Sequence, residues 1–393
     1  MGLGSSMSVL FTPARIGTVE LRNRFVRSAT NDRMATPGGR VTAELVDYYR
    51  LLARGEIGLI ITGHAYIHPL GQGSARQLGV YDDSLVPGLK RIADAVHELG
   101  GRVAMQITHA GRQTQMEIIG ETPVAPSAIP YGLQNVMPRE LSDDAIEKII
   151  EDYASAAGRA QEAGFDAVQL HGAHGYLMNQ FLSPFSNRRT DKWGGDDEGR
   201  FRFLHDAYKA VRKKVGSGFP VLIKLAMKDF VKGGLDVSAS ISVAKRLSEL
   251  GIDAIETSGG FSSAMENIKR DVLPGKGEAY FRSEASRLKK SVDVPVILVG
   301  GLRSFATMES VVKNGDADFV SLSRPFIREP DLVLKLKSGA RETSCISCSK
   351  CSISREPVLE CIAIETKENS TNTRGAGDDS SQAIHKRRSK EDR

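Results

Sequence analysis

"PVLIKLA", residues 220–226, is an apolar run broken once, by Lys224. A strand with one solvated face alternates apolar and polar residues, whereas a nearly unbroken apolar run reads as a strand buried on both faces. Seven more short runs resemble it: "RFVRSAT" (24–30), "GLIITG" (58–63), "RVAMQIT" (102–108), "DAVQLHG" (166–172), "DAIETSG" (253–259), "PVILVGG" (295–301) and "DFVSLSR" (318–324). Helix-like segments lie between them. In "SDDAIEKIIEDYASAAGRAQEAG", Ser142 has the position of an N-cap, apolar residues recur every three or four, and Gly164 ends the pattern. Strands alternating with helices imply parallel pairing, and eight such units fit an α/β fold, the (β/α)8 TIM barrel, as a single domain. The rival is a doubly wound sheet, which carries a glycine-rich dinucleotide turn after its first strand. Here that place reads "SATNDRMATPGG", without GxGxxG, so the barrel is the better reading.

The reading divides the chain into a flexible leader (1–7), the barrel (8–340), a cysteine-containing extension (341–364) and a polar tail (365–393). The tail is almost without large apolar residues and is expected to be disordered, because it cannot bury enough surface to offset the entropy of ordering. Its "HKRRSK" (385–390) accounts for much of the formal net charge of +5. The body is therefore close to neutral, which argues against a nucleic-acid partner. No run of 18 apolar residues predicts a membrane span, and "MGLGSSMSVLF" lacks the basic and long apolar regions of a secretory signal. Met1-Gly2 with Ser6 fits a loose myristoylation pattern, but a bland leader is the simpler reading. All four cysteines fall between Cys345 and Cys361, unlike a secreted disulfide scaffold, which points to a cytoplasmic protein.

In a barrel the chemistry belongs at the carboxyl ends of the strands. Those ends deliver Ser28, Thr30 and Asn31, then Gln106 and His109, then His171, His174 and Tyr176, with Lys224, Gly300, Gly301, Ser323 and Arg324 further on. The loops after strands seven and eight are a frequent phosphate site in barrels; "VGGLRS" would let the backbone approach an anion, and Arg324 could grip its oxygens. A buried Lys224 needs a compensating partner, for which a bound anion or an electron-rich ring would serve. The two histidines of "LHGAHGY" lack the helical i, i+4 register of a zinc motif, so no metal ligands are assigned. Two imidazoles could instead polarise a carbonyl or nitro oxygen, and the Tyr176 phenol could give a proton.

Over residues 8–335 the chain resembles the old yellow enzyme family of flavin mononucleotide (FMN) oxidoreductases. The motifs that carry the likeness, in order, are "LFTP", "LRNRFVRSAT", "MQITHAGR", "APSAI", "GFDAVQLHGAHGYLMNQFLSPFSNRRTDKWGG" with "GRFRFL", "PVLIKL", "VGGLRS" and "SLSRPFIREP". The resemblance implies an ene-reductase that takes electrons from NADH or NADPH. By family position Ser28, Ala29, Thr30 and Gly63 line the flavin ring, Gln106 meets its pyrimidine edge, and Lys224 lies near N1 and O2. Gly300, Gly301, Ser323 and Arg324 hold the phosphate. His171 and His174 bind the oxygen of an activated alkene; flavin N5 gives hydride to its β-carbon and Tyr176 protonates the α-carbon. His64, next to Gly63, is a further candidate flavin contact.

Two departures from the family stand out. "SATNDRM" lacks the redox-tuning cysteine that some members carry after strand one. Cys345-x2-Cys348-x2-Cys351-x9-Cys361 resembles the [4Fe–4S] segment of the 2,4-dienoyl-CoA reductase branch, but with altered spacing, and a polar tail rather than a second nucleotide-binding part is expected after it. A cluster, zinc and unligated thiols all stay open, and the cluster is not preferred. The rival function is a flavin-free, phosphate-binding lyase or isomerase with Lys224 as a Schiff-base lysine, although no matching acid stands out. A homo-oligomer stays open too.

Overall fold

The computed structural model describes residues 7–130, 136–261, 272–352 and 359–363. The sequence-defined leader and polar tail lie outside these residues, apart from Met7. Eight strands form the barrel: β1 (Phe25–Arg27), β2 (Leu59–Ile61), β3 (Val103–Thr108), β4 (Ala167–Gly172), β5 (Val221–Ala226), β6 (Ala254–Ser258), β7 (Val296–Val299) and β8 (Phe319–Leu322). Each pairs in parallel with the next, and β8 pairs with β1, so the sheet closes and no edge is left open. All eight runs read from the sequence are strands of this barrel.

The helices between them begin as their sequences dictate. Ser142 caps Asp143–Glu162 by accepting from the Ala145 N–H, with Asp143 and Asp144 in the first turn, where the helix dipole favours negative charge. Thr42 and Asp236 cap Ala43–Arg54 and Val237–Glu249 in the same way. Together the helices cover the outer faces of the strands and bury a continuous apolar layer.

Inside the barrel, alternate residues of each strand form two storeys. The lower one is apolar: Val26, Ile61, Ala104, Ala167, Leu222, Ala254, Ile297 and Phe319 pack together. Ile16 and Leu21, from the antiparallel hairpin Ala14–Ile16/Val19–Leu21, join this cluster and stopper the amino end. Two residues further along the strands, the same parity brings Ser28, Gln106, Gln169, Lys224, Glu256 and Ser321 inward, all buried. This polar storey lies toward the carboxyl ends, where the mouth opens. No helix among the described residues is long and apolar enough to cross a membrane.

Candidate active site

The polar storey is one connected network. Lys224 Nζ lies 2.8 Å from Glu256 Oε2 and donates to Ser28 Oγ at 2.7 Å. Ser28 and Ser321 each donate to Glu256 Oε1 at 2.8 Å, and Gln169 Nε2 donates to Glu256 Oε2 at 2.8 Å. Gln106 Nε2 donates to Gln169 Oε1 at 2.7 Å. The compensating charge for Lys224 is therefore Glu256, one strand away in register, and no bound anion is required for it. The sequence reading offered a bound anion or an electron-rich ring as that partner and did not single out Glu256. Burial pushes the Lys224 ammonium below the usual lysine range while Glu256 opposes the shift. Glu256 is held below the usual carboxylate range, because Lys224 and the hydrogen bonds it accepts outweigh the burial that opposes them.

The chain leaving β4 brings His171, His174 and Tyr176 together. His174 sits in the left-handed region at φ +61°, and Gly175 follows at φ +75°, where an added Cβ would stand 2.5 Å from the Phe261 ring. This reversal brings three rings together: the centroid of His171 is 5.1 Å from His174, edge to face, and 4.6 Å from Tyr176. Strain of this kind, about 1–3 kcal/mol per residue, persists where the surroundings over-determine the backbone, and it clusters at functional sites. His174 Nε2 lies 2.7 Å from Ser258 Oγ at the end of β6. His171 Nδ1 is buried without a protein partner, a polar atom that a ligand oxygen would satisfy. Burial holds His171 well below the usual imidazole range and brings His174 to about 3, so both rings are neutral at pH 7. Burial raises the Tyr176 phenol to about 12, so it keeps its proton.

His64 joins this group from the carboxyl end of β2. Its Nε2 lies 2.8 Å from the Tyr176 hydroxyl, and its ring is 6.0 Å from that of His171. Beside it, the Gly63 N–H donates to Tyr49 Oη at 2.9 Å and lies 3.3 Å from Asp32 Oδ2, and Asp32 is ion-paired with the fully buried Arg27. His109 lies outside the three-ring group and packs against His68, with 6.2 Å between centroids. Asn31 donates to Ser74 Oγ in the loop after β1.

After β7 the two glycines turn the chain at positive φ. Gly300 and Gly301 have φ +136° and +72°, and a Cβ on either would stand within 2.9 Å of the Tyr280 ring. Ser323 Oγ lies 2.7 Å from Thr30 Oγ1, which ties the end of β8 to the end of β1, while Ala29 packs at the rim of the inner apolar cluster. Arg324 donates to the Ser347 carbonyl and to Ser349 Oγ. Arg303, absent from the sequence candidates although it lies within "VGGLRS", is buried and donates to Ser347 Oγ. Neither guanidinium forms an ion pair with a carboxylate among the described residues. Two such cations beside a glycine turn suit an anion. Ser347 and Ser349 belong to the cysteine segment, whose start adds a backbone pairing to the barrel through Thr343 N to Arg303 O and Phe305 N to Arg341 O. Cys345 is buried and Cys348 exposed; no group of three or more His, Cys, Asp or Glu among the described residues is arranged to hold a metal ion.

The strand ends of the closed parallel barrel thus gather two neutral imidazoles, a phenol and a glycine turn beside two arginines, over a polar floor. Residues 9–343 match the model of the NADH:flavin oxidoreductase / NADH oxidase family. The chain belongs to that family, and its structural relatives include old yellow enzyme homologues. It is 39% identical over 345 residues to an NADH oxidase of Thermoanaerobacter brockii, covering 86% of this chain and 52% of that protein. An NADPH dehydrogenase of Bacillus subtilis is 34% identical over 326 residues, which is 82% of this chain and 92% of the relative. The chain thus spans about half the length of the first relative and nearly all of the second. The solved structure of the old yellow enzyme homologue from Zymomonas mobilis superimposes with a TM-score of 0.75 at 30% identity, over 86% of this chain and 95% of that one.

Proposed function

We propose that the protein is an FMN-dependent ene-reductase that draws electrons from NADH or NADPH and reduces a small activated alkene. The observation that carries this reading is the convergence of His171, His174 and Tyr176 at one strand end. The residues present fit the cofactor. Ser28, Ala29, Thr30, Gly63, Gln106 and Lys224 would hold the flavin ring. Gly300, Gly301, Ser323 and Arg324, together with the buried guanidinium of Arg303, would hold its phosphate. When bound and reduced, FMN supplies the hydride for the β-carbon of the alkene.

The remaining steps fall to the protein. His171 and His174, neutral because they are buried, donate N–H groups to the substrate's carbonyl or nitro oxygen. Charge that develops on that oxygen is stabilised there without first having to strip a proton or a counterion from the site. Ser258 fixes the His174 ring through its hydrogen bond. Tyr176, which keeps its proton up to about pH 12, gives it to the α-carbon. The flavin-free lyase reading is weaker, because a Schiff-base lysine must be unprotonated, whereas Lys224 is ion-paired with Glu256.

Stopped-flow separation of the two half-reactions tests the proposal. Reduction by NADH or NADPH is followed by reoxidation with a panel of enones, dienoyl thioesters and nitroalkenes. Tyr176→Phe should slow alkene reduction by roughly 10²–10⁴-fold while leaving reduction by the nicotinamide nearly intact. Equal loss in both halves, or reduced protein that no alkene reoxidises, would contradict the proposal.

A further inference from the structure

The mechanism above leaves His64 unused, although the side chain is buried and its Nε2 lies 2.8 Å from the Tyr176 hydroxyl. Its place is well fixed. The His64 carbonyl accepts from Gln77 Nε2 at 2.9 Å, and the preceding Gly63 N–H is held by Tyr49. The rings meet edge to face, with centroids 5.2 Å apart. The charged and titratable groups around the pair are Asp32 and Arg33 from the loop after β1, His171 at the end of β4 and His174 in the turn after it.

A phenol has one proton. If Tyr176 donated it to His64, the O–H would be directed at the imidazole and withheld from a substrate carbon. The hydrogen bond serves proton transfer only in the opposite sense, with imidazole N–H donating to the phenol oxygen. We infer that His64 is a positioning residue for Tyr176: as the Nε2–H tautomer it turns the phenol O–H toward the substrate and stabilises the phenolate that proton transfer leaves behind. As the α-carbon–hydrogen bond forms, the Tyr176 O–H bond breaks and its electron pair stays on oxygen, where the hydrogen bond from the His64 N–H shortens and strengthens. A proton from water then restores the phenol, so each turnover consumes one.

The electrostatics agree. Burial, with Arg33 nearby, brings His64 to about 4, so at pH 7 it is a neutral donor. Burial also makes the Tyr176 phenolate costly, so a donor at 2.8 Å matters there more than it would in water.

This inference rests on the ene-reductase reading, and the test keeps the two apart. His64→Leu removes the donor, whereas His64→Gln keeps an N–H. In stopped flow, His64→Leu should slow alkene reduction by about tenfold or more, the loss of one hydrogen bond to a charged group. Nicotinamide reduction should stay within about twofold, and His64→Gln should recover most of the alkene rate. A readout independent of flavin is the ¹³Cζ resonance of Tyr176 in protein without FMN, which should shift in His64→Leu and stay near wild type in His64→Gln. An unchanged alkene rate in His64→Leu, beside a slow Tyr176→Phe, would overturn the role of His64 and leave the reading standing. Equal slowing of both half-reactions would reduce His64 to a structural part and overturn the inference. An unaffected Tyr176→Phe would overturn the reading itself.

Discussion

Replacing Glu256 by Gln changes almost no volume yet removes the only carboxylate within ion-pair distance of Lys224 among the described residues. The ammonium is then buried without compensation, a situation that costs about 3–5 kcal/mol when one partner of a buried pair is lost. A ceiling follows from proton linkage. The lysine can escape the penalty by giving up its proton, and doing so at pH 7 costs about 1.36 kcal/mol for each unit below ~10.4, or about 4.6 kcal/mol. The same reasoning fixes a pH dependence. In the variant the folded state binds fewer protons than the unfolded one between its depressed lysine pKa and ~10.4, so its stability must rise with pH across that interval. Urea unfolding of Glu256→Gln without added FMN, so that ligand binding adds no stabilisation of its own, should show a loss of about 3–4.6 kcal/mol at pH 7. That loss should shrink as pH rises, by about 2 kcal/mol between pH 7 and pH 8.5 at the ceiling of about 4.6 kcal/mol and by less where the lysine still holds its proton at pH 7. Lys224→Met in the same background should restore much of the deficit, because it removes the stranded charge. A Glu256→Gln midpoint equal to wild type at pH 7, or a penalty that does not change with pH, would refute the pairing.

Three other outcomes follow. His171→Ala should weaken binding of a phenol to the FMN-loaded protein, and an unchanged spectral titration would reject its role at the substrate oxygen. His64 at about 4, and His109 and His174 at about 3, lie below the ordinary imidazole value because burial disfavours the cation. Their stabilising contribution is complete above ~6.5 and is lost as pH falls toward those values. Going from pH 7 to pH 5 should therefore cost on the order of 2 kcal/mol per histidine in urea unfolding, and His109→Gln should flatten the dependence. Gly301→Ala forces a side chain to φ +72° with its Cβ 2.8 Å from the Tyr280 ring, so it should weaken FMN uptake by more than tenfold in fluorescence titration, with the barrel still folded by circular dichroism.

The eight strands were legible because a barrel strand, covered by side chains within and by helices without, is written as an unbroken apolar run. The three-ring group was legible because it is local, lying within the six residues His171–Tyr176 at the end of β4. What escaped depended on parity and on distance along the chain. Gln169 and Glu256 looked incidental inside "AVQL" and "AIETS". Yet each stands two residues beyond a small inward residue, Ala167 or Ala254, just as Lys224 stands two beyond Leu222. Aligning the strands by that period would have exposed the polar storey. The contact between His64 and Tyr176 spans 112 positions, and the Asp32–Tyr49–Gly63 clasp joins two loops through a helix. No local pattern encodes either. Arg303 was missed because an arginine in the loop before a helix usually reads as a solvated one, and only the fold shows it buried under Ser347.

The central claim, a flavin at the mouth with His171, His174 and Tyr176 beside it, is tested most directly by one absorbance titration. FMN is added to the purified chain, and a para-substituted phenol then follows. A stoichiometric flavin spectrum, with a new long-wavelength charge-transfer band that His171→Ala diminishes, is the predicted result. Protein that stays colourless at saturating FMN, or that binds flavin but gives no band with any phenol, would contradict it.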